Sequence, residues 1–200
     1  MTPAQPLAQR VQTRFPQWVI ATHDFRGDQT VVVQPKGLLE VCRYLRDDPA
    51  MAFNFIMDVT AVDLLTLGNA ELGETFRAIP AVDPSITWTS FAADEDEGPR
   101  NVAGEPSPRF EMVYHLFSLT HRHRIRVKVP VEAADPRIDS VTSVWKGANW
   151  FEREVWDMFG ITFAGHPHLK RILMYEGFQG HPLRKDYPVN HRQPLVGPVN

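Results

Sequence analysis

The sequence predicts an α+β fold: a single domain with a mixed or antiparallel sheet flanked by helices, followed by an extended C-terminal tail. Three observations predict it. Short β-rich runs alternate with stretches of helical spacing as far as residue 160. In one run, His123–Val131, Ile125, Val127 and Val129 alternate with Arg124, Arg126 and Lys128, the period-two pattern of a strand with one buried and one basic face. Beyond Gly165 the chain is punctuated by Gly and Pro and shows no periodicity, which suits neither a helix nor a central strand.

The elements follow in order. Residues 1–17 form a leader with a helical turn or two around Leu7, Val11 and Phe15. Strands over Trp18–Phe25 and Thr30–Gln34 flank Gly27-Asp28, a hairpin signal, and Pro35-Lys36-Gly37 stops the second strand. Leu38, Leu39, Val41, Cys42 and Leu45 recur at helical spacing until Asp47-Asp48-Pro49 ends the helix. Ala52–Val62, rich in Phe, Ile, Met and Val, reads as a buried strand. Residues 66–108 set eight acids against Arg77 and Arg100, with five prolines and four glycines, and read as a looped acidic insertion, either a contact arm or a solvated excursion. Phe110–Leu119 and His123–Val131, joined by a turn at Thr120-His121-Arg122, form a long antiparallel hairpin. His121 and His123 flank that turn and are expected to be exposed. Residues 135–160 read as helical. The core domain is thus 18–165 and the tail 166–200.

Composition bounds the function. A chain of 200 residues and 22.8 kDa is one domain that buries roughly 70% of its unfolded surface, enough for a core without staples. A net charge of -3 argues against a dedicated nucleic-acid binder. The single cysteine, Cys42, excludes an intrachain disulfide, a CxxC zinc site and any iron–sulfur cluster held by this chain alone. Cys42 falls on the apolar face of a helix, where it reads as core rather than nucleophile. No apolar run approaches the about 20 residues of a membrane span, and Met1–Arg10 lacks the apolar core of a secretory signal, so a soluble cytosolic chain is expected. Nucleotide-binding GxGxxG and GxxxxGK[ST], hydrolase GxSxG and zinc-protease HExxH patterns are missing.

The dense chemistry lies between Trp150 and Pro188. On a helix, Phe151, Val155, Met158 and Phe159 share one face, and Gly160 suits the left-handed position after its end. Arg153 and Asp157, four apart, can pair, while Glu152 and Glu154 flank the apolar stripe. Three acids around one arginine suit either acid–base chemistry or a network that fixes the helix against a neighbour. His166, His168, His181 and His191 raise a zinc hypothesis, but no carboxylate or cysteine stands at ligand-like spacing among them. His166-Pro167 and Gly180-His181-Pro182 read as rigid loop and turn residues. The tail carries the apolar anchors Phe178, Leu183, Tyr187 and Leu195 beside the cluster Arg184-Lys185-Asp186, a pattern that wraps a partner or packs on its own domain. A basic-hairpin binding module using Arg122, Arg124, Arg126 and Lys128 lacks the aromatic stacking pattern it would need.

The run Glu152-Arg153-Glu154 through Asp157-Met158-Phe159-Gly160-Ile161, then Phe163, Gly165-His166-Pro167, Leu169 and Arg171-Ile172-Leu173-Met174, resembles one family. So do Glu176-Gly177-Phe178 and the run Gly180-His181-Pro182-Leu183-Arg184-Lys185-Asp186-Tyr187-Pro188. Upstream, Asp58–Asp63, Arg109–Leu116 and Arg124–Pro130 resemble its sheet strands. The family is the C subunit of NADH-quinone oxidoreductase, the thirty-kilodalton subunit of respiratory complex I, and the likeness covers residues 18–65 and 109–190. The insertion at 66–108 departs from the short connection usual there, and a chain ending soon after Pro188 resembles the stand-alone form rather than the fusion with the D subunit.

The resemblance implies a non-catalytic subunit of the peripheral arm of a proton-pumping NADH:quinone oxidoreductase. It implies no catalytic, cofactor-binding or metal-binding residue in this chain, with FMN and iron–sulfur clusters in partner subunits. It implies packing beside the homologue of the D subunit near the quinone site, with the homologues of the B and I subunits as further partners, and no nucleic acid. Membrane association would be indirect, on the cytoplasmic face of a bacterial cell membrane. Its interface and structural motif maps onto Glu152, Arg153, Glu154, Asp157, Gly160, His166, Pro167, Arg171, Gly180, His181, Pro182, Arg184, Lys185, Asp186, Tyr187 and Pro188, with Arg153 expected to hold one of the acids within the chain or across to a partner. The alternatives are the equivalent subunit of a membrane-bound hydrogenase or ferredoxin:quinone reductase, and an independent small enzyme using Glu152, Glu154 and Asp157 with His166 or His181.

Overall fold

The computed structural model describes residues 5–65 and 108–194. The insertion 66–108 therefore lies outside the described residues except for Pro108. Arg26 and Gly27, at φ 54° and 87°, turn the chain tightly between strands β1 (Val19–Phe25) and β2 (Asp28–Val33), as Gly27-Asp28 predicts. Helix α1 (Leu7–Arg14) buries Ala8 and Val11 on this hairpin, and the Ala8 amide donates to Gln29 Oε1 at 2.8 Å. The leader is thus tied to the core. Helix α2 (Leu38–Asp47) follows a short 3₁₀ turn at Pro35–Gly37 and buries Leu38, Val41, Cys42 and Leu45. Cys42 is core, as its position on the apolar stripe requires, and burial pushes its thiol pKa far up.

Strands β3 (Phe55–Asp63), β4 (Phe110–Phe117) and β5 (Arg124–Val131) complete a five-stranded sheet of order β1-β2-β5-β4-β3. Neighbours run antiparallel except β2 and β5, which are parallel, so the sheet is mixed. The strand expected from Ala52 starts at Phe55, because Ala52 takes φ 45° and the chain turns there. One register row, Val31–Val127–Tyr114–Val59, lies on the face where α1, α2 and the third long helix form the core. Each fully buried aliphatic side chain of this kind contributes about 1.5–3 kcal/mol. His123, expected to be exposed, is half-buried: its Nε2 bonds to the Met51 carbonyl at 2.8 Å and its ring packs 4.7 Å from Phe53.

The helix expected over 135–160 is shorter. Strand β6 (Arg137–Asp139) and a 3₁₀ turn (Val141–Ser143) precede helix α3 (Ala148–Phe159). Pro136 and the β-branched pair Val141-Thr142 disfavour helix, and Ser140 accepts the Thr142 amide and caps the turn. α3 is the crossover between β6 and its parallel partner β7 (Thr162–Ala164), a second, two-stranded sheet. No helix among the described residues is long and apolar enough to cross a membrane.

Candidate functional site

The site is the seam between α3 and the irregular segment that follows β7. Every C-terminal helix turn leaves carbonyls without intrahelical partners. In α3 the Gly160 amide returns to the Trp156 carbonyl at 2.9 Å, with Gly160 left-handed at φ 73°. The next carbonyls are met by residues some 25 positions away. His181 Nδ1 bonds to the Asp157 carbonyl at 3.0 Å, the Leu183 amide to that of Met158 at 3.1 Å, and Arg184 Nε to that of Phe159 at 2.5 Å. A carbonyl only accepts, so His181 carries its proton on Nδ1, and burial lowers its pKa. Arg184 also brings positive charge to the negative end of the helix dipole. A Cβ on Gly160 would stand 2.6 Å from both Arg184 Nη2 and the His181 ring, so the close approach depends on this glycine.

Two buried carboxylates fasten the segment. Asp157 Oδ2 accepts the amides of Ile172, Leu173 and Met174 at 3.0, 2.9 and 2.9 Å, and Oδ1 accepts Arg171 Nη1 at 2.5 Å. Consecutive amides converging on one anion make a nest. Burial works to raise the Asp157 pKa, but these donors hold it below the ordinary carboxylate value. Arg171 Nη2 also reaches the Phe178 and Gly180 carbonyls, and its guanidinium lies over the Trp156 and Phe178 rings.

The second carboxylate is Asp63, buried at the end of β3. It accepts the Leu65 amide at 3.0 Å, Arg109 Nε at 3.3 Å and Nη2 at 3.0 Å, and the Lys185 amide at 2.9 Å. Arg109 Nη2 continues to Asp186 Oδ1 at 2.6 Å. Burial opposes ionisation of Asp63, yet Arg109 and the two amides hold its pKa down, while Asp186 and then Asp63 raise that of Arg109. Asp63 and Arg109 fall outside the predicted motif. A signal existed: Asp63 continues the inward phase of Val59 and Ala61, and an acid there needs a buried partner.

Glu152 is fully buried on the other side of α3. Ser140 Oγ donates to Oε2 at 2.6 Å and the Val141 amide to Oε1 at 2.7 Å. Burial nonetheless pushes its pKa up to about 7. His166 Nε2 lies 4.0 Å from Oε2 but donates to the Asn149 carbonyl at 3.1 Å, while His166 Nδ1 accepts the His168 amide at 3.0 Å. Both ring nitrogens of a neutral His166 are thereby used.

The expected role of Arg153 is corrected within the chain. Its Nε and Nη2 donate to the Lys170 and Arg171 carbonyls at 3.1 and 3.2 Å, and it stacks over Trp150. Asp157 pairs with Arg171 instead, on the side where the nest also supplies three amides, while half-buried Arg153 is spent on carbonyls. Glu154 is exposed and takes no part in the seam. Pro167 and Pro188 lie exposed, whereas Pro182 is half-buried. Tyr187 stacks on Phe178 at 6.1 Å and receives Gln193 Nε2 on its hydroxyl. Gly180 adopts φ 89° beneath the Tyr187 ring. Among the described residues no group of three His, Cys, Asp or Glu could hold a metal ion, and His166 and His181 are spent on backbone partners. Glu152, Asp157, His166, His181, Arg153, Arg171 and Arg184 are thus spent on clasps.

A sequence model of the family described as the respiratory-chain NADH dehydrogenase 30 Kd subunit matches residues 31–193. The chain belongs to this family. It is 39% identical over 181 residues to the NADH-quinone oxidoreductase C subunit of Roseiflexus sp. (strain RS-1), covering 90% of this chain and 82% of the relative. It is 40% identical over 190 residues to the C subunit of the same enzyme from Citrifermentans bemidjiense, covering 94% and 92%. Among solved structures, the trypsin-resistant fragment of Nqo5 superposes with a TM-score of 0.54 at 31% identity, over 80% of this chain and 98% of the fragment. A chain of the membrane-bound sulfane sulfur reductase, an archaeal respiratory membrane complex, shares the fold with a TM-score of 0.56 at 18% identity, over 91% and 84%.

Proposed function

We propose that this chain is the C subunit of an NADH-quinone oxidoreductase and serves that complex by assembly rather than by a redox step of its own. The carrying observation is the family match across 31–193, reinforced by relatives of that name aligned over at least nine-tenths of the chain. The geometry supports the same reading: the motif residues go into backbone clasps, not a substrate cavity, and the lone cysteine is core.

On this reading the flavin and iron–sulfur clusters sit in neighbouring subunits. The chain packs beside the homologue of the D subunit near the quinone site, with the B and I homologues as further partners, at the cytoplasmic face of the membrane. The segment after β7 supplies contacts: Leu173, Leu183 and Val189 stand exposed on a backbone that Asp157 and Asp63 hold in place. The test is a mild-detergent pull-down of the tagged chain from its native membranes with an NADH:quinone assay on the eluate. Recovery of iron–sulfur and membrane subunits with NADH-dependent quinone reduction is expected. A large complex active only with hydrogen or ferredoxin would change the donor. A lone chain would overturn the reading.

A further inference from the structure

Of the three acids on α3, Glu152 alone is buried with no Lys or Arg at ion-pair distance among the described residues. His166, 4.0 Å away, stays neutral, since its Nε2 donates to the Asn149 carbonyl and its Nδ1 accepts the His168 amide. Arg153, next in sequence, turns to the Lys170 and Arg171 carbonyls. The other titratable groups about the carboxyl are the Cys42 thiol from α2 and the Tyr114 phenol from β4, both fully buried and kept protonated. Asp139 of β6 adds a further negative charge near Tyr114. A buried carboxylate left without a counter-charge takes a proton instead.

The hydrogen bonds around Glu152 accommodate that proton without moving a heavy atom. Ser140 Oγ stands 2.6 Å from Glu152 Oε2 and 2.7 Å from Thr142 Oγ1, and it accepts the Thr142 amide at 3.2 Å. A hydroxyl donates once and accepts twice. With Glu152 ionised, the Thr142 hydroxyl donates to Ser140 and the Ser140 hydroxyl donates to the carboxylate. With Glu152 protonated, its O–H donates to Ser140 and Ser140 donates to Thr142. Ser140 Oγ keeps three bonds in both settings, and the Val141 amide stays on Oε1 at 2.7 Å. Thr142 is half-buried whereas Ser140 and Glu152 are buried, so the row runs from the interior toward the surface. We infer that Glu152 is a proton-binding site inside the domain, filled from solvent and emptied to it through the hydroxyls of Thr142 and Ser140. On filling, a solvent proton joins Thr142 Oγ1, the Thr142 proton passes to Ser140 Oγ, and the Ser140 proton passes to Glu152 Oε2. One carboxylate becomes one carboxylic acid, and both hydroxyls are regenerated. The upward push of burial on the Glu152 pKa agrees with this. The 3₁₀ turn stays pinned to α3 in either state, so the site stores a proton without opening the fold.

The experiment is carbon-13 NMR of the full chain labelled at its glutamate carboxyls, titrated from acid to alkaline pH. One carboxyl should titrate at about 7 and vanish in Glu152→Gln. A wild-type chain whose glutamates all titrate in the ordinary carboxylate range overturns the site, and that titration decides the point by itself. The Glu152 carboxyl should give one averaged resonance, because the relay keeps exchange with solvent fast. Thr142→Val, of nearly the same shape, removes the outer hydroxyl and should slow the exchange about a hundredfold, read as a broadened or split resonance. Thr142→Ser should restore the averaged line. Equal line shapes in the wild type, Thr142→Val and Thr142→Ser overturn the route through the hydroxyls. Neither result depends on the subunit reading.

Discussion

The substitution Asp157→Asn tests the clasp on α3 with side-chain size held constant. The wild-type carboxylate accepts three amides on one oxygen and Arg171 on the other. An amide has one acceptor oxygen, so its NH₂ group must face either the nest or the guanidinium, donor against donor. Arg171, largely covered, would also lose its counter-charge. Breaking a buried charge pair by removing one partner costs about 3–5 kcal/mol. At about 1.4 kcal/mol per decade, opening of the 171–174 loop should become roughly 100- to 4000-fold more frequent. Residue-resolved hydrogen exchange reads this directly: the Ile172, Leu173 and Met174 amides should lose protection by that factor. The amides of β4 and β5 should change far less, because the core does not rest on the loop. Unchanged protection at the three amides, or an equal loss across the sheet, would refute the reasoning.

Three further outcomes follow from the same geometry. Gly160→Ala forces a side chain into the left-handed region and into His181 and Arg184, so a loss of about 1–3 kcal/mol in urea unfolding is expected, with residues 181–184 exchanging faster. Glu152 has a folded pKa raised to about 7, so its neutral form favours folding and its contribution fades as pH rises from the unfolded value of 4.5 through about 7. Glu152→Gln should flatten the stability profile across that window by up to about 3 kcal/mol, and a pH series of denaturation midpoints measures it. Asp63, Asp157 and Asp186 have lowered pKa values, so the clasps are complete above the usual carboxylate range and fail as pH falls through their folded values; protease cleavage within 171–190 on acidification reports this.

Local rules carried much of this fold. A positive-φ glycine made the β1–β2 hairpin, period-two alternation marked β5, and the stripe through Cys42 marked α2 as core-facing. Rules of the same reach misplaced what distant partners decide. Residues 135–147 follow the helical pattern of α3 backwards, but Pro136 and the parallel pairing of β6 with β7 override it. Arg153 and Asp157 stand at pairing distance along a helix, yet Arg171 and three amides outcompete Arg153 for the carboxylate. His181 and Arg184 read as a turn and a charge cluster, and only the fold reveals them as caps on α3. The parallel contact of β2 with β5 is equally non-local, and it creates the row holding Arg126.

On the proposed reading, the segment after β7, clasped at Asp157 and Asp63, joins this chain to its complex. Truncation after Gly177 removes His181, Leu183, Arg184 and Lys185 while leaving the five-stranded sheet and the Asp157 nest. The measurement is co-purification of the truncated chain with the quinone reductase, beside hydrogen exchange at β4 and β5. A protected sheet in a chain that no longer co-purifies is expected, with a preparation of reduced NADH:quinone activity. A truncated chain recovered in normal amount with full activity would contradict it.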